Sequence, residues 1–233
     1  MTQVFIISAP SGSGKSTLVT AIKQLVDNLE FSVSYTTRQP RGSEEPGRDY
    51  YYTSREVFER MIERGDFLEW ADVFGNYYGT AKKFLDDAEG RNFDLLLDID
   101  VQGATQLQAK LPNAVSIFIL PPSREELEKR LRRRSSAEKM TDEAVIRRRL
   151  ETATREIEKY TEYGYILVND QLSDSIDALR AIILAERLRA TGRAAESNED
   201  RKTLQLAESR RLEQVKDGLG PILDSFRRVS VEE

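Results

Sequence analysis

Residues 4–17 read V-F-I-I-S-A-P-S-G-S-G-K-S-T. Four apolar residues, Val4 to Ile7, lead into a turn of small residues. Leu18, Ala21, Ile22, Leu25 and Val26 follow at the three-and-four spacing of a buried helix face. The stretch therefore reads as strand, loop and helix, the first βα unit of an α/β fold. In that setting Gly12 and Gly14 let the backbone curl with positive φ. The amides of Ala9, Ser11, Gly12, Ser13, Gly14, Lys15, Ser16 and Thr17, together with Pro10, then wrap an anion at the start of the helix. Lys15 would reach the outer phosphates of a nucleoside triphosphate, and the Ser16 hydroxyl would ligate Mg²⁺. The strict pattern G-x-x-x-x-G-K-[ST] asks for glycine where this chain has Ala9.

The 233 residues are 39% hydrophobic and 32% charged, with the apolar positions gathered into periodic segments, so one sizeable core is expected. The chain has no cysteine and no histidine. Disulfides, thiolate metal sites and every nucleophile that depends on Ser-His or Cys-His pairing are thereby excluded. The remaining chemistry belongs to carboxylates, Lys, Arg, hydroxyls and a metal ion. A net charge of −5 disfavours a general nucleic-acid surface. No signal-like or membrane-spanning apolar run is present, and the expected location is the cytoplasm.

Further along, Phe31 to Thr37 reads as a strand that runs into Arg38-Gln39-Pro40-Arg41, where two guanidiniums lie three residues apart. A polar loop follows, then a short Tyr50-Tyr51-Tyr52 strand and a helix capped by Ser54 and stopped by Gly65. Phe67 to Ala71 is apolar around Glu69, and Phe74 to Thr80 reads as a Gly- and Tyr-rich turn. Phe93 to Asp100 is a buried-type strand ending in Asp98 and Asp100. Ligands gather at the carboxyl ends of parallel strands, so Asp98 becomes a candidate for the metal or its water shell, with helix capping as the alternative for both acids. Ala114 to Leu120 is a further strand. Ser123 and Glu126 form a capping box for a helix with Arg130 and Arg132 to Arg134. After the polar stretch Ser135 to Lys139, a second helix restarts at Thr141 and carries Arg147 to Arg149. Tyr165 to Asn169 is the last strand and Ser173 to about Arg189 the last core helix. Beyond Thr191 the composition predicts a flexible linker, a weakly amphipathic helix and an irregular tail.

Taken in order, Ser8–Thr17, S-Y-T-T-R-Q-P-R at 34–41, G-R-D-Y at 47–50, F-L-E-W at 67–70, G-N-Y-Y-G-T at 75–80 and L-D-I-D-V-Q-G at 97–103 resemble the guanylate kinases, in their bacterial form. The resemblance covers about residues 1 to 190. It implies a P-loop parallel-sheet core (1–33, 81–122 and 156–190), a β-rich GMP-binding subdomain (34–80), a helical lid (123–155) and an extension of open role (191–233). The reaction it implies is Mg²⁺-dependent transfer from ATP to GMP, and to dGMP, giving ADP and GDP.

By the same resemblance, Lys15, Arg130, Arg134 and Arg149 act on the transferred group, with a register slip open within the arginine runs. Asn169 joins the nucleotide-binding loop. Ser34, Arg38, Arg41, Tyr50, Glu69, Tyr78, Thr80, Asp98 and Asp100 form the acceptor site, and Ser16 and Asp98 attend the metal. Glu69 is the selectivity residue, since a carboxylate can accept from both guanine N1–H and the N2 amino group, and adenine has no N1–H. A non-catalytic interaction module and a kinase of a ribose bisphosphate are the alternatives. Monomer and homo-oligomer both stay open, with ATP and GMP as the small-molecule partners and neither nucleic acid nor membrane among them.

Overall fold

The computed structural model describes residues 2–42, 44–73, 75–137 and 142–227. In chain order the first elements are β1 (Val4–Ser8), α1 (Lys15–Leu25), β2 (Leu29–Ser32), β3 (Tyr35–Thr36), β4 (Tyr51–Tyr52) and α2 (Arg55–Glu63). Next come β5 (Phe67–Val73), β6 (Asn76–Ala81), α3 (Lys83–Arg91), β7 (Asp94–Asp98), α4 (Val101–Lys110) and β8 (Val115–Leu120). The last are α5 (Arg124–Ala137), α6 (Glu143–Ile157), β9 (Tyr165–Val168), α7 (Leu172–Thr191), α8 (Asn198–Glu208), α9 (Leu212–Val215) and α10 (Gly220–Arg227). A five-stranded sheet runs β2-β7-β1-β8-β9, with β2 parallel to β7 and β8 parallel to β9. Its strands are near-continuous apolar runs, and Phe5 to Ile7, Leu95 to Leu97 and Ile117 to Leu120 are fully buried. Strands covered on both faces by helices require that composition, which makes this the expected α/β architecture.

Chain contacts divide the molecule into two compact units, one of residues 1–6 and 28–114, the other of residues 7–27 and 115–233. In the first, the segment read as one strand over 31–37 is two. Leu29–Ser32 joins β7, while Tyr35–Thr36 enters a second sheet of order β4-β3-β6-β5. The periodicity of Phe31 to Thr37 carries no mark of this change of sheet, because both halves are β-prone. The stretch over 75–80 is likewise a strand, β6, rather than a turn, and it pairs antiparallel with β3 and β5. Its glycines read as turn signals, but Gly79 is there for packing: a Cβ on it would come within 3.0 Å of Phe58 and Phe67. Phe74 lies outside the described residues. Ser54 caps α2 through its hydroxyl, as expected, accepting from Val57 N at 3.3 Å.

In the second unit, α1 buries Leu18, Val19 and Ile22. Ala21 is only half-buried and Leu25, expected inside, is 51% exposed. The helix ends at Leu25, and the extended Val26 turns inward instead. Ser123 Oγ caps α5 by accepting from Glu126 N at 3.1 Å, and Leu127 and Leu131 are fully buried. Asp142 caps α6, accepting from Ala144 N at 2.9 Å. Thr141, where the second arginine helix was expected to start, lies outside the described residues.

The segment after residue 191 is more ordered than its composition predicts. Ser197 and Asp200 form a reciprocal capping box on α8, which packs on α7. Ala207, Leu219 and Phe226 are buried. Arg210 to Leu212 lies antiparallel along β9, with Ile166 N donating to Arg210 O at 2.9 Å and Leu212 N to Gly164 O at 3.0 Å. Beside this pairing, Glu186 accepts from the Tyr165 hydroxyl, from Arg189 at 2.6 Å and from Arg211 at 3.0 Å. Burial and the Glu186 carboxylate together hold the Tyr165 phenol well above its usual pKa. Helix α10 reaches α5 and α6, where Ser225 Oγ accepts from Arg124 N at 3.0 Å. A few well-placed apolar residues thus order a segment whose periodicity is weak.

Glu186→Ala strips three donors of their common acceptor. Arg189 and Arg211 are partly solvated, so the expected cost is about 1–2 kcal/mol. A melting midpoint lower by roughly 2–8 °C, read by calorimetry, is the expected result.

Candidate active site

The anion-binding loop belongs to the second unit. Gly12 and Gly14 have φ of 92° and 90°, the left-handed conformation that the sequence required of them. Space constrains them as well. A Cβ on Gly12 would lie 3.0 Å from both Leu127 and Leu131, and one on Gly14 would collide with the Asn169 amide. The loop is fastened through one carbonyl. Ser13 O accepts from Asn169 Nδ2 at 2.7 Å and from Arg130 NH1 at 3.5 Å, while Arg130 NH2 donates to Asn169 O at 3.1 Å. Ser13 is buried and its own hydroxyl has no hydrogen-bond partner. Ala9 and Pro10 are buried, Lys15 is half-buried at the head of α1, and Ser11, Ser16 and Thr17 are exposed.

Of the predicted lid arginines, Arg130 is thus bound to the loop itself, and its Nε donates to Glu126 at 2.9 Å. Arg149, on α6, donates to the buried Ser135 hydroxyl of α5 at 3.4 Å. Arg134 is exposed on α5. Neighbouring Arg132 is engaged with Glu128 and with Glu143 of α6.

The acceptor candidates all belong to the first unit. Arg38 is 7% exposed, and every arm of its guanidinium is used: Nε donates to Tyr78 Oη at 3.1 Å, NH1 to Gln39 O at 2.6 Å and NH2 to Glu44 Oε1 at 2.9 Å. Burial works against its charge, but Tyr78 and Glu44 outweigh that and raise its pKa. Tyr50 lies with its ring centroid 5.3 Å from the Arg38 guanidinium and 5.8 Å from the Tyr78 ring. Burial pushes the Tyr50 phenol up, and the charge of Asp98 adds to the effect. Asp98 ends β7 half-buried, Ser34 passes its carbonyl to Tyr51 N at 2.9 Å, and Arg41 is half-buried.

Glu44 was not foreseen. It accepts from Arg41 N and from Tyr52 Oη at 2.8 Å each, in addition to its ion pair with Arg38. Burial would raise its pKa, but these donors bring it below the usual value. Its place three residues after Arg41 was the available signal, hidden in a stretch read as a polar loop.

Glu69 stands on β5 where the pairing with β6 slips by one residue: Phe67 faces Ala81 and Glu69 faces Thr80. The bulge turns three successive residues, Phe67, Leu68 and Glu69, inward, which strict alternation would forbid. The Glu69 carboxylate is 3% exposed and accepts from Thr80 Oγ1 at 2.6 Å. Desolvation pushes its pKa up to about 7, against the Thr80 hydrogen bond and with help from the charge of Asp100. Asp100 is the N-cap of α4, accepting from Gln102 N at 2.7 Å and Gly103 N at 3.2 Å, so the capping alternative holds for that residue.

Ser16, exposed at the head of α1 in the second unit, and Asp98, at the end of β7 in the first, each carry a hard oxygen of the kind a divalent ion takes. Among the described residues no three His, Cys, Asp or Glu side chains cluster as a metal site.

Comparison with known proteins places the chain in a family. The family model described as guanylate kinase matches residues 1–186. A guanylate kinase from Koribacter versatilis is 54% identical over 224 residues, covering 96% of this chain and 95% of its own length. One from Geobacter metallireducens is 48% identical over 186 residues, or 80% of this chain and 90% of its own. The crystal structure of guanylate kinase from Anaplasma phagocytophilum aligns with a TM-score of 0.64 at 35% identity, over 79% of this chain and 86% of that one. With a family model matched over most of its length and relatives of this identity and coverage, the chain belongs to the guanylate kinase family.

Proposed function

We propose that this enzyme transfers the γ-phosphoryl group of ATP to GMP, and to dGMP, in the cytoplasm. Residues 34–80 would take the acceptor, residues 123–155 would serve as the lid, and the remainder up to 190 would form the core. An oxygen of the acceptor phosphate forms the new bond to the γ-phosphorus as the bond to the β-phosphate oxygen breaks, and ADP leaves with that electron pair. The attacking oxygen is already anionic, so no base is needed, which suits a chain without histidine.

Lys15 and the loop amides hold the β- and γ-phosphates, assisted by Asn169 through its grip on the loop. Arg130, Arg134 and Arg149 neutralise charge on the transferred group. Arg38 and Arg41 offer donor forks to the acceptor phosphate, with the hydroxyls of Tyr50 and Tyr78 beside them. Ser34 and Thr80 support the base. Ser16 and Asp98 are the residues that would hold Mg²⁺, which would supply neutralisation of the phosphate charge. Transfer demands that donor and acceptor phosphates meet in line and without water, so a closing movement is part of the proposal.

The buried Glu69 carboxylate carries the guanine assignment. An apolar strand holds it out of water beside the Thr80 hydroxyl, where an unpaired carboxylate is costly and two N–H donors would relieve it. An ADP-release assay over GMP, dGMP, AMP, CMP and UMP tests this. Strong preference for the guanine nucleotides is expected, and equal rates on AMP and GMP would overturn it.

Two further outcomes follow. Lys15→Ala should lower kcat/KM by at least about 10²–10³-fold while the melting midpoint stays near that of the parent. The second concerns pH. Glu69 is protonated below about 7 in the free protein, against an ordinary 4.5. A raised carboxyl pKa means that the folded state binds the extra proton, so this group's contribution to stability falls as pH rises from its ordinary value to about 7. Guanine needs the ionised form, so kcat/KM for GMP should rise about tenfold between pH 6 and 8 beyond the effect of the nucleotide's own phosphate. Glu69→Gln should abolish that added rise in a pH–rate profile and should weaken GMP selectivity.

A further inference from the structure

Helix α4 presents Gly103, Gln106 and Lys110 at intervals of three and four residues, one stripe of a helix. The stripe lies along β5, the outer strand of its sheet. Gln106 Nε2 donates to Trp70 O at 2.9 Å and Lys110 Nζ to Leu68 O at 2.6 Å. The carbonyls on either side of Glu69 are therefore held by side chains of the helix, where another strand would otherwise serve.

Gly103 completes the stripe at the level of the Glu69 carboxylate. A Cβ there would overlap Glu69 Oε2, lie 3.0 Å from its carboxyl carbon and stand 3.6 Å from Asp100 Oδ2. Glycine's backbone freedom is not what the position uses. It is helical and absent from the positive-φ residues, and alanine forms helix more readily. What glycine supplies there is space. The atoms that an added methyl would meet are the end of a side chain, not backbone, so the helix can keep its place only if Glu69 yields. The clash falls on Oε2, beside the Oε1 that the Thr80 hydroxyl holds at 2.6 Å, so yielding re-aims the carboxylate against that hydrogen bond.

We propose that Gly103 is a specificity-determining positioning residue: its missing side chain reserves the volume in which the Glu69 carboxylate reads the acceptor base, while Gln106 and Lys110 fix the strand behind it. The proposal rests on Glu69 being the guanine-reading group. Trp70, the chain's single tryptophan, follows Glu69 in β5 and is 36% exposed, so its emission serves as the probe in a GMP titration.

The test compares Gly103→Ala, Glu69→Gln, Glu69→Asp and the double variant Gly103→Ala/Glu69→Asp in the full chain. GMP is titrated against Trp70 emission, and steady-state KM and kcat are measured for ATP, GMP and AMP. For Gly103→Ala the expected result is an unchanged or higher melting midpoint, an unchanged KM for ATP, and a Kd and KM for GMP raised about tenfold or more, with reduced preference over AMP. The shorter Glu69→Asp side chain should weaken GMP binding beside Gly103 but restore part of it beside the alanine, a non-additivity that a purely structural glycine would not produce. Wild-type GMP affinity and selectivity in Gly103→Ala, with Glu69→Gln impaired, would overturn the proposal and leave the Glu69 reading standing. Unaltered GMP selectivity in Glu69→Gln would remove that reading, and the proposal with it. A lowered melting midpoint with equal losses toward ATP and GMP would also overturn it, because the harm would then lie in the fold.

Discussion

The Ser13 carbonyl is the fixed point of the second unit. Two donors from distant parts of the chain, the Asn169 amide and the Arg130 guanidinium, converge on it. With that oxygen held, the peptide dipole that follows is oriented as well, while the Ser13 amide on the other side is spent within the loop, donating to Pro10 O at 3.1 Å. Around this point the loop has little freedom. Gly12 lies against two leucines of α5 and Gly14 against Asn169, so the loop is shaped as much by its neighbours' volume as by its own dihedrals. The burial of Leu127 and Leu131 and the position of the end of β9 matter to the shape of the loop for this reason.

The first unit is organised by a different economy, that of charge in a low-dielectric setting. Arg38 has all its arms engaged, one of them by Glu44, and a guanidinium so held loses little freedom when a planar anion approaches. Glu69 is the opposite case, a buried carboxylate whose donors on Thr80 are neutral and whose pKa is close to neutrality. The first group is pre-paired and rigid, and the second is under-satisfied and waiting for donors. Under the proposed function, affinity for a phosphate and discrimination between bases would thereby fall to separate side chains with separate electrostatic surroundings.

The sequence made the first βα unit legible because each local signal agreed: the apolar run, the two glycines and the helix periodicity. Arg38, Glu69 and Tyr78 were legible only as members of an ordered set, since no single one of them has a pattern of its own. Three things were hidden for physical reasons. The division of Phe31 to Thr37 between two sheets depends on tertiary pairing to which β propensity is blind. The inward turn of Glu69 depends on a bulge, and a bulge breaks the period by which strands are recognised. Glu44 and Gly103 act through what surrounds them, an ion pair across a loop and an absent side chain, and neither is visible without coordinates. The segment after residue 191 was underestimated because its order rests on isolated anchors, Ala207, Leu219 and Phe226, rather than on a continuous apolar face.

That last segment changes what the sheet presents to its surroundings. An outer strand with free amides and carbonyls is a template for a strand from any other molecule. Here part of the β9 edge is occupied by Arg210 to Leu212 of the same chain. A competitor must displace a partner that is covalently attached and already folded onto α7, and whose effective concentration is about millimolar for a short connection. That concentration does not fall on dilution or rise with crowding by copies of the chain. The edge is therefore guarded in proportion to a connection length and not to the amount of protein present, so its protection is the same in a dilute solution as in a concentrated one.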